Sequence, residues 1–149
     1  MSGNGRTARS RGKGLAGAFL AGLAVAFGGG LAAVADDLTE TAWRAVAVDG
    51  VAVPDGVRVV LRFGADGELT GTTGCNRAFG GYERDGERIS VGPLGGTRMA
   101  CPPPADEVEW KVLAALEAAA RLERPAAERL EILDETGRAR LVLEPTTDE

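Results

Sequence analysis

Histidine is absent from this 149-residue chain, and cysteine and aromatic residues are scarce. Without histidine, catalytic triads that use it, histidine-ligated metal sites and a histidine switch at neutral pH are all excluded. Two cysteines without histidine also make a poor metal site. We therefore expect no catalytic residues, no metal and no cofactor in this protein.

Acidic residues are missing from the first 35 positions, which hold four basic residues and an uncharged apolar stretch from Leu15 to Val34. Ala33-Val34-Ala35 has the small-x-small pattern of a cleavage site. This combination is typical of a secretory signal. The sequence predicts a signal peptide over residues 1–35, cleaved after Ala35. An uncleaved membrane anchor is the alternative, because the apolar stretch is nearly long enough to span a bilayer.

Charge in the remaining chain is strongly acidic. Cleavage would remove four of the 17 basic residues and none of the 22 acidic ones, which leaves 13 against 22 and a net charge of −9. Such a domain repels phosphate backbones and anionic lipid, so we expect neither nucleic acid nor stable membrane insertion. No cysteine lies near the cleavage site for lipid attachment. The predicted signal peptide, without a cysteine for lipid attachment, indicates a secreted or periplasmic protein.

The two cysteines, Cys75 and Cys101, are the only pair available for an intramolecular disulfide. Export would place them in an oxidising compartment. Closing this loop stabilises a fold by about 3.5 kcal/mol on the chain-entropy model. A structural disulfide is the favoured interpretation, and a reactive thiol or a metal site is the alternative.

Alternating apolar residues predict strands in the remainder of the chain. Val57 to Phe63 alternates well, Asp66-Gly67 has the signature of a hairpin turn, and Glu68 to Thr73 returns. Residues 51–56, 74–81 and 92–96 are interpreted as loops or irregular segments. Further extended segments are predicted at Trp43–Val48, Tyr82–Arg84, Arg88–Val91, Thr97–Cys101, Arg129–Leu133 and Ala139–Leu143.

One helix is predicted from an N-cap at Asp106 to near Arg121, with an apolar face that includes Val108, Val112 and Leu116. Six to eight short antiparallel strands with one helix favour a mainly β, barrel-like domain with the helix packed on it. The scarcity of aromatic residues favours an interior filled by its own side chains.

Glu109 projects from the middle of the apolar face of this helix. A carboxylate in that position needs a partner or access to water. One interpretation places it close enough to the helix end to reach water or backbone N–H groups. The other pairs it with Asn76 or Arg77 of the cysteine-containing loop.

Two sequence blocks resemble the META-domain family, the HslJ-like exported and envelope proteins of bacteria. The first runs from Thr70 to Arg77 and continues into Gly80-Gly81-Tyr82, and the second is Thr97 to Pro102. Trp43 and Glu109 match the opening strand and the helix. The resemblance implies a META domain over 36–149 with its core at about 38–144, a lipocalin-like topology and a disulfide.

The resemblance also implies which residues form the family motif, in a structural or partner-binding role. These residues are Trp43, Gly74, Asn76, Arg77, Gly81, Tyr82, Thr97, Met99 and Glu109.

Family members are linked to heat shock and envelope stress, without an associated reaction. We therefore expect a non-enzymatic exported protein that supports envelope stress tolerance by binding a partner protein or a small molecule. A purely structural barrel is the first alternative and an unrecognised hydrolase the second. A barrel cavity above about 300 Å³ lined by polar groups would favour a ligand.

Overall fold

A computed structural model describes residues 38–148 of the chain. The predicted signal peptide and its cleavage site lie outside the described residues. The helix α1 spans Ala105–Glu117 and follows the seventh strand. The strands are β1 (Thr41–Val48), β2 (Val51–Ala52), β3 (Arg58–Phe63), β4 (Glu68–Gly74), β5 (Arg77–Asp85), β6 (Arg88–Val91), β7 (Gly95–Gly96), β8 (Arg121–Ala126), β9 (Arg129–Leu133) and β10 (Ala139–Pro145).

The strands form one antiparallel sheet that closes on itself. Its order is β10-β9-β8-β6-β5-β4-β3-β1-β2, and β10 also pairs with β1. The two-residue strands β2 and β7 add to β1 and β5 outside this ring. The predicted mainly β, barrel-like fold with one helix is therefore confirmed, because closure leaves the eight longer strands paired on both sides.

The β3–β4 hairpin forms as the alternating pattern predicts. The strands pair from Arg58 with Gly74 to Phe63 with Leu69. Val59, Leu61 and Phe63 are buried, which places the apolar face of β3 in the interior. A Cβ on Gly71 would collide with the Val60 backbone of β3, so glycine is required at this close approach.

The barrel interior is filled by side chains. Every strand of the ring contributes at least one buried residue, and all buried side-chain polar atoms of the described residues have a hydrogen-bond partner. The largest side chains that are almost fully buried are Trp43, Phe63, Leu61, Leu69, Leu116, Leu122, Leu130, Ile132, Leu141 and Leu143. The interior is thus filled by the domain's own side chains, as the sequence predicts.

The helix packs its apolar face on the barrel but has different ends from those expected. It is capped at Pro104, not Asp106, because the Pro104 carbonyl accepts the first helical hydrogen bond from the Val108 N–H. It ends at Glu117, because the chain from Arg121 pairs with β9. Within residues 38–148, no helix has the length and apolar character needed to cross a membrane.

Further segments differ from the sequence prediction. Val51–Ala52 and Gly95–Gly96, which were expected to be loop or irregular, are the two-residue strands β2 and β7. The predicted loop over residues 74–81 is β5 from Arg77 onward, paired with β4 from Thr72–Arg77 to Glu68–Gly81. Two glycines in β5, Gly80 and Gly81, hide the apolar alternation that would indicate a strand. The strand β8, with the sequence RLERPA, was not predicted: the helix was expected to end near Arg121, and Leu122 is the one large apolar residue of this segment.

Candidate functional site

A polar junction joins the end of β4, the segment after β7 and the start of α1. Its centre is Asn76, whose side chain is buried at 6% exposure. The members of this Asn76 junction are Thr73, Gly74, Cys75, Asn76, Thr97, Met99, Cys101 and Glu109. Seven residues of the two sequence blocks therefore meet Glu109 at one place.

The Asn76 side chain uses all of its hydrogen-bonding capacity. Its Oδ1 accepts from the Met99 N–H at 2.6 Å and from the Thr97 hydroxyl at 2.9 Å. Its Nδ2 donates to the Met99 carbonyl at 3.1 Å and to Glu109 Oε2 at 3.0 Å. The Asn76 amide therefore makes the two backbone hydrogen bonds to Met99 that a neighbouring strand would otherwise make. It also links this segment to α1 through Glu109.

The partner of Glu109 is thus Asn76 and not Arg77. Glu109 is half-buried, and its carboxylate oxygen accepts from Asn76. Arg77 is exposed, and its backbone N–H donates to the Thr97 hydroxyl at 3.1 Å. The second interpretation of Glu109 is therefore confirmed for Asn76, while Arg77 contributes its backbone to the junction.

A tight turn positions Asn76. The Thr73 N–H and hydroxyl both donate to the Asn76 carbonyl, at 2.9 and 3.0 Å. Gly74, within this turn, has a φ of +119°, which L side chains rarely adopt. A Cβ there would also lie 3.0 Å from the Ala105 carbonyl oxygen and 3.2 Å from the Glu109 nitrogen. Gly74 therefore lets β4 pack directly against the first turns of α1.

The Cys75–Cys101 disulfide closes the junction on its outer side. The two Cα atoms are 5.9 Å apart and lie 26 positions apart in the chain. The bond ties the turn after β4 to the segment that leads into α1. The predicted structural disulfide is present, and neither sulfur is free.

The remaining predicted residues lie elsewhere. Trp43 is buried in the barrel, donates to the Thr41 hydroxyl at 2.8 Å and has the Arg124 guanidinium 5.2 Å above its ring. Tyr82 is also buried: its ring packs edge-on against Phe63, and its hydroxyl donates to the Gly64 carbonyl at 3.1 Å. Both residues therefore contribute to the core, not to a binding surface. Gly81 is exposed, and its carbonyl accepts from the Gly92 N–H.

Large apolar side chains are exposed at several places in the described part of the chain. Met99 of the junction is 61% exposed. Phe79 on β5 is 56% exposed, and Trp110 on α1 is 72% exposed. Exposed large apolar groups of this kind occur at protein interaction sites. The sequence does not reveal them, because strand and helix periodicity do not show which faces remain uncovered.

A cluster of charged side chains links the β9–β10 hairpin to Asp49, at the end of β1, and was not predicted from the sequence. Arg140 donates to Asp49 and lies 3.8 Å from Asp134 Oδ2. The Asp49 hydrogen bond raises the pKa of Arg140, and the Thr136 hydroxyl, donating at 2.6 Å, is the main cause that lowers the pKa of Asp134. The Thr136–Asp134 hydrogen bond stabilises the β9–β10 turn, and the Arg140 guanidinium lies between the carboxylates of Asp49 and Asp134.

A charged cleft of about 700 Å³ lies between the β5–β6 turn, the end of α1 and the β9–β10 turn. Arginines and carboxylates line it together, so it has no single charge preference. Among residues 38–148, no group of three or more cysteine or carboxylate side chains is arranged to hold a metal ion.

The fold and the junction define a small disulfide-linked β-barrel with one helix packed on it. The META domain family model matches residues 36–147, and the chain belongs to that family. A Burkholderia xenovorans protein solved by NMR is 31% identical with a TM-score of 0.60, over 74% of this chain and 85% of that one. A second NMR structure, 21% identical, has a TM-score of 0.58 over 71% and 89%, and shows the fold alone. No curated protein matches the sequence.

Proposed function

We propose that this chain is an exported, non-enzymatic protein of the bacterial envelope that supports stress tolerance by binding a partner protein. The basic and apolar leader over residues 1–35 and the Cys75–Cys101 disulfide support export. Family membership supports a role without an assigned reaction. Cleavage after Ala35 would release the domain into the periplasm or the medium.

The observation on which this proposal rests is the contrast between the interior and the surface. Leu130, Ile132, Leu141 and Leu143 are fully buried and fill the interior, which argues for a protein partner over an enclosed small molecule. Met99, in contrast, holds its side chain in solvent although its backbone is bonded on both sides by Asn76. A rigid backbone that presents an exposed apolar group is suited to protein recognition.

The test is crosslinking in intact cells followed by capture of the mature protein. Met99→Ser should reduce the amount of a specific crosslinked partner. Val51→Ser is the matched control, because Val51 is also 61% exposed but lies on β2, away from the junction. Equal capture by both variants would contradict a binding role for Met99, and absence of any specific partner would favour the purely structural barrel.

The non-enzymatic part has its own test. Purified mature protein should leave esterase, glycosidase and peptidase substrates unchanged. The lack of histidine removes the usual general base of esterases and of serine and cysteine peptidases, and the glycosidase and peptidase substrates also test for carboxylate-based hydrolysis. Turnover that co-purifies with the protein and disappears on substitution of one carboxylate would instead support the hydrolase.

A further inference from the structure

A groove runs along α1 on the side that faces the segment between β6 and the disulfide. It consists of two adjoining clefts of about 460 and 540 Å³ that share Leu94 and Leu113. Leu94 comes from the segment and Leu113 from the helix, so both walls are apolar where the clefts meet. We call this surface the α1 groove.

Arg77 and Arg98 line one end of the α1 groove. Neither guanidinium forms an ion pair with a carboxylate of residues 38–148, whereas Arg44, Arg129 and Arg140 each do. The cleft also contains Glu109, which accepts from Asn76. In a domain whose net charge after cleavage would be −9, this end of the groove has an excess of uncommitted positive charge, whereas Glu117 lines the other end. A ligand with carboxylates would complement it.

The segment that carries Arg98 also presents a strand edge. The Thr97 N–H donates to the Arg77 carbonyl, and Met99 bonds to Asn76 through both its N–H and its carbonyl. The alternate residues, Arg98 and Ala100, are exposed, and their backbone groups have no hydrogen-bond partner among the described residues. Their N–H and carbonyl groups are therefore available to an extended chain.

We propose that the α1 groove and this edge bind an extended, acidic peptide segment of a partner protein. The backbone of the peptide pairs with Arg98 and Ala100, its carboxylates contact Arg77 and Arg98, and its apolar side chains contact Leu94 and Leu113. The free backbone edge favours a peptide over an anionic lipid, because an acyl chain has no amide groups to pair with it. This proposal rests on the proposed function, since it names the chemistry of the partner.

The test is selection of short random peptides, displayed on phage, against the mature protein. The enriched peptides are expected to alternate apolar and acidic residues, because successive side chains of an extended peptide face opposite sides. Arg77→Glu with Arg98→Glu should weaken binding of an enriched peptide at least about 10-fold by fluorescence anisotropy. Peptide addition should shift the amide NMR signals of Arg98 and Ala100.

Arg88→Glu with Arg138→Glu is the matched control, because it makes the same change in net charge at exposed arginines outside the α1 groove. It should retain binding. The proposal is overturned if no peptide is enriched, if enriched peptides bind the Arg77/Arg98 variant equally well, or if vesicles of anionic lipid bind more tightly than the peptides. A partner captured in cells that depends on Met99 but not on these arginines would preserve the proposed function and refute the acidic peptide.

Discussion

The two sides of this barrel are held together by different means. On the ladder side, formed by β10, β1, β3 and β4, neighbouring strands pair along most of their length. The second region consists of residues 74–76 at the end of β4, the chain after β7 up to Cys101, and the start of α1. In this region the chain after β7 is held by the disulfide and by Asn76. We call this the pinned side.

The difference explains where most of the motif residues lie. On the ladder side the backbone supplies most of the bonds, so many apolar side chains are compatible with the structure. On the pinned side, the Asn76 amide and the Cys75–Cys101 disulfide hold the chain in the place of a neighbouring strand. The Asn76 junction therefore needs particular residues, and its surface presents the exposed groups on which the proposed function rests.

The largest effect is expected on the ladder side. Trp43 on β1 is 2% exposed, and Trp43→Ala should lower the free energy of unfolding by about 4 kcal/mol, measured by urea denaturation. Trp110→Ala is the control and should stay within about 0.5 kcal/mol, because Trp110 is 72% exposed. Similar losses in the two variants would contradict the assignment of Trp43 to the core.

The disulfide tests the pinned side directly. Cys75→Ser combined with Cys101→Ser should lower the free energy of unfolding by about 3.5 kcal/mol. Amide hydrogen exchange should show an additional, local loss of protection at Met99, because the Met99 N–H lies in the segment that the disulfide no longer holds. A uniform loss that includes the β9–β10 hairpin to the same degree would show that the two sides do not differ in this way.

Asn76→Ala should lower the free energy of unfolding by less, about 2 kcal/mol. The Met99 N–H and carbonyl that it leaves unpaired lie near the surface and gain access to water. Ser90→Ala, at an exposed position of β6, should be nearly neutral. The measurement is thermal or urea unfolding together with amide exchange at Met99. Unchanged exchange at Met99 would contradict the role of Asn76 as a substitute strand.

The smallest effect concerns pH and the β9–β10 turn. Hydrogen bonds from Thr136 and Arg138 hold the pKa of Asp134 below its ordinary value of 3.8. A carboxyl with a lowered pKa stabilises the fold above the unfolded pKa, and that contribution is lost as the pH falls through the folded pKa. The melting temperature of Asp134→Asn should therefore lie below that of the wild type at pH 7 and converge with it below about pH 4. A constant difference from pH 7 into strong acid would refute this account.

Sequence reasoning was most successful where neighbours in the chain encode the structure. The β3–β4 hairpin follows from the alternation between Val57 and Phe63, and the helix from its apolar spacing. It was wrong about β8 and the first part of β5. Those strands have few large apolar residues, and they form because adjacent strands in the closed ring supply their hydrogen bonds.

The sequence by itself determined the absence of histidine chemistry, the acidic charge, the single available disulfide and the mainly β character. Only the tertiary structure decided that Glu109 bonds Asn76 and not Arg77, that Tyr82 belongs to the core, and that Met99 faces solvent. The physical reason is the separation of the interacting residues along the chain. Composition and periodicity depend on residues close in the chain, whereas these contacts join positions 18 to 33 residues apart and exist only after the barrel has closed.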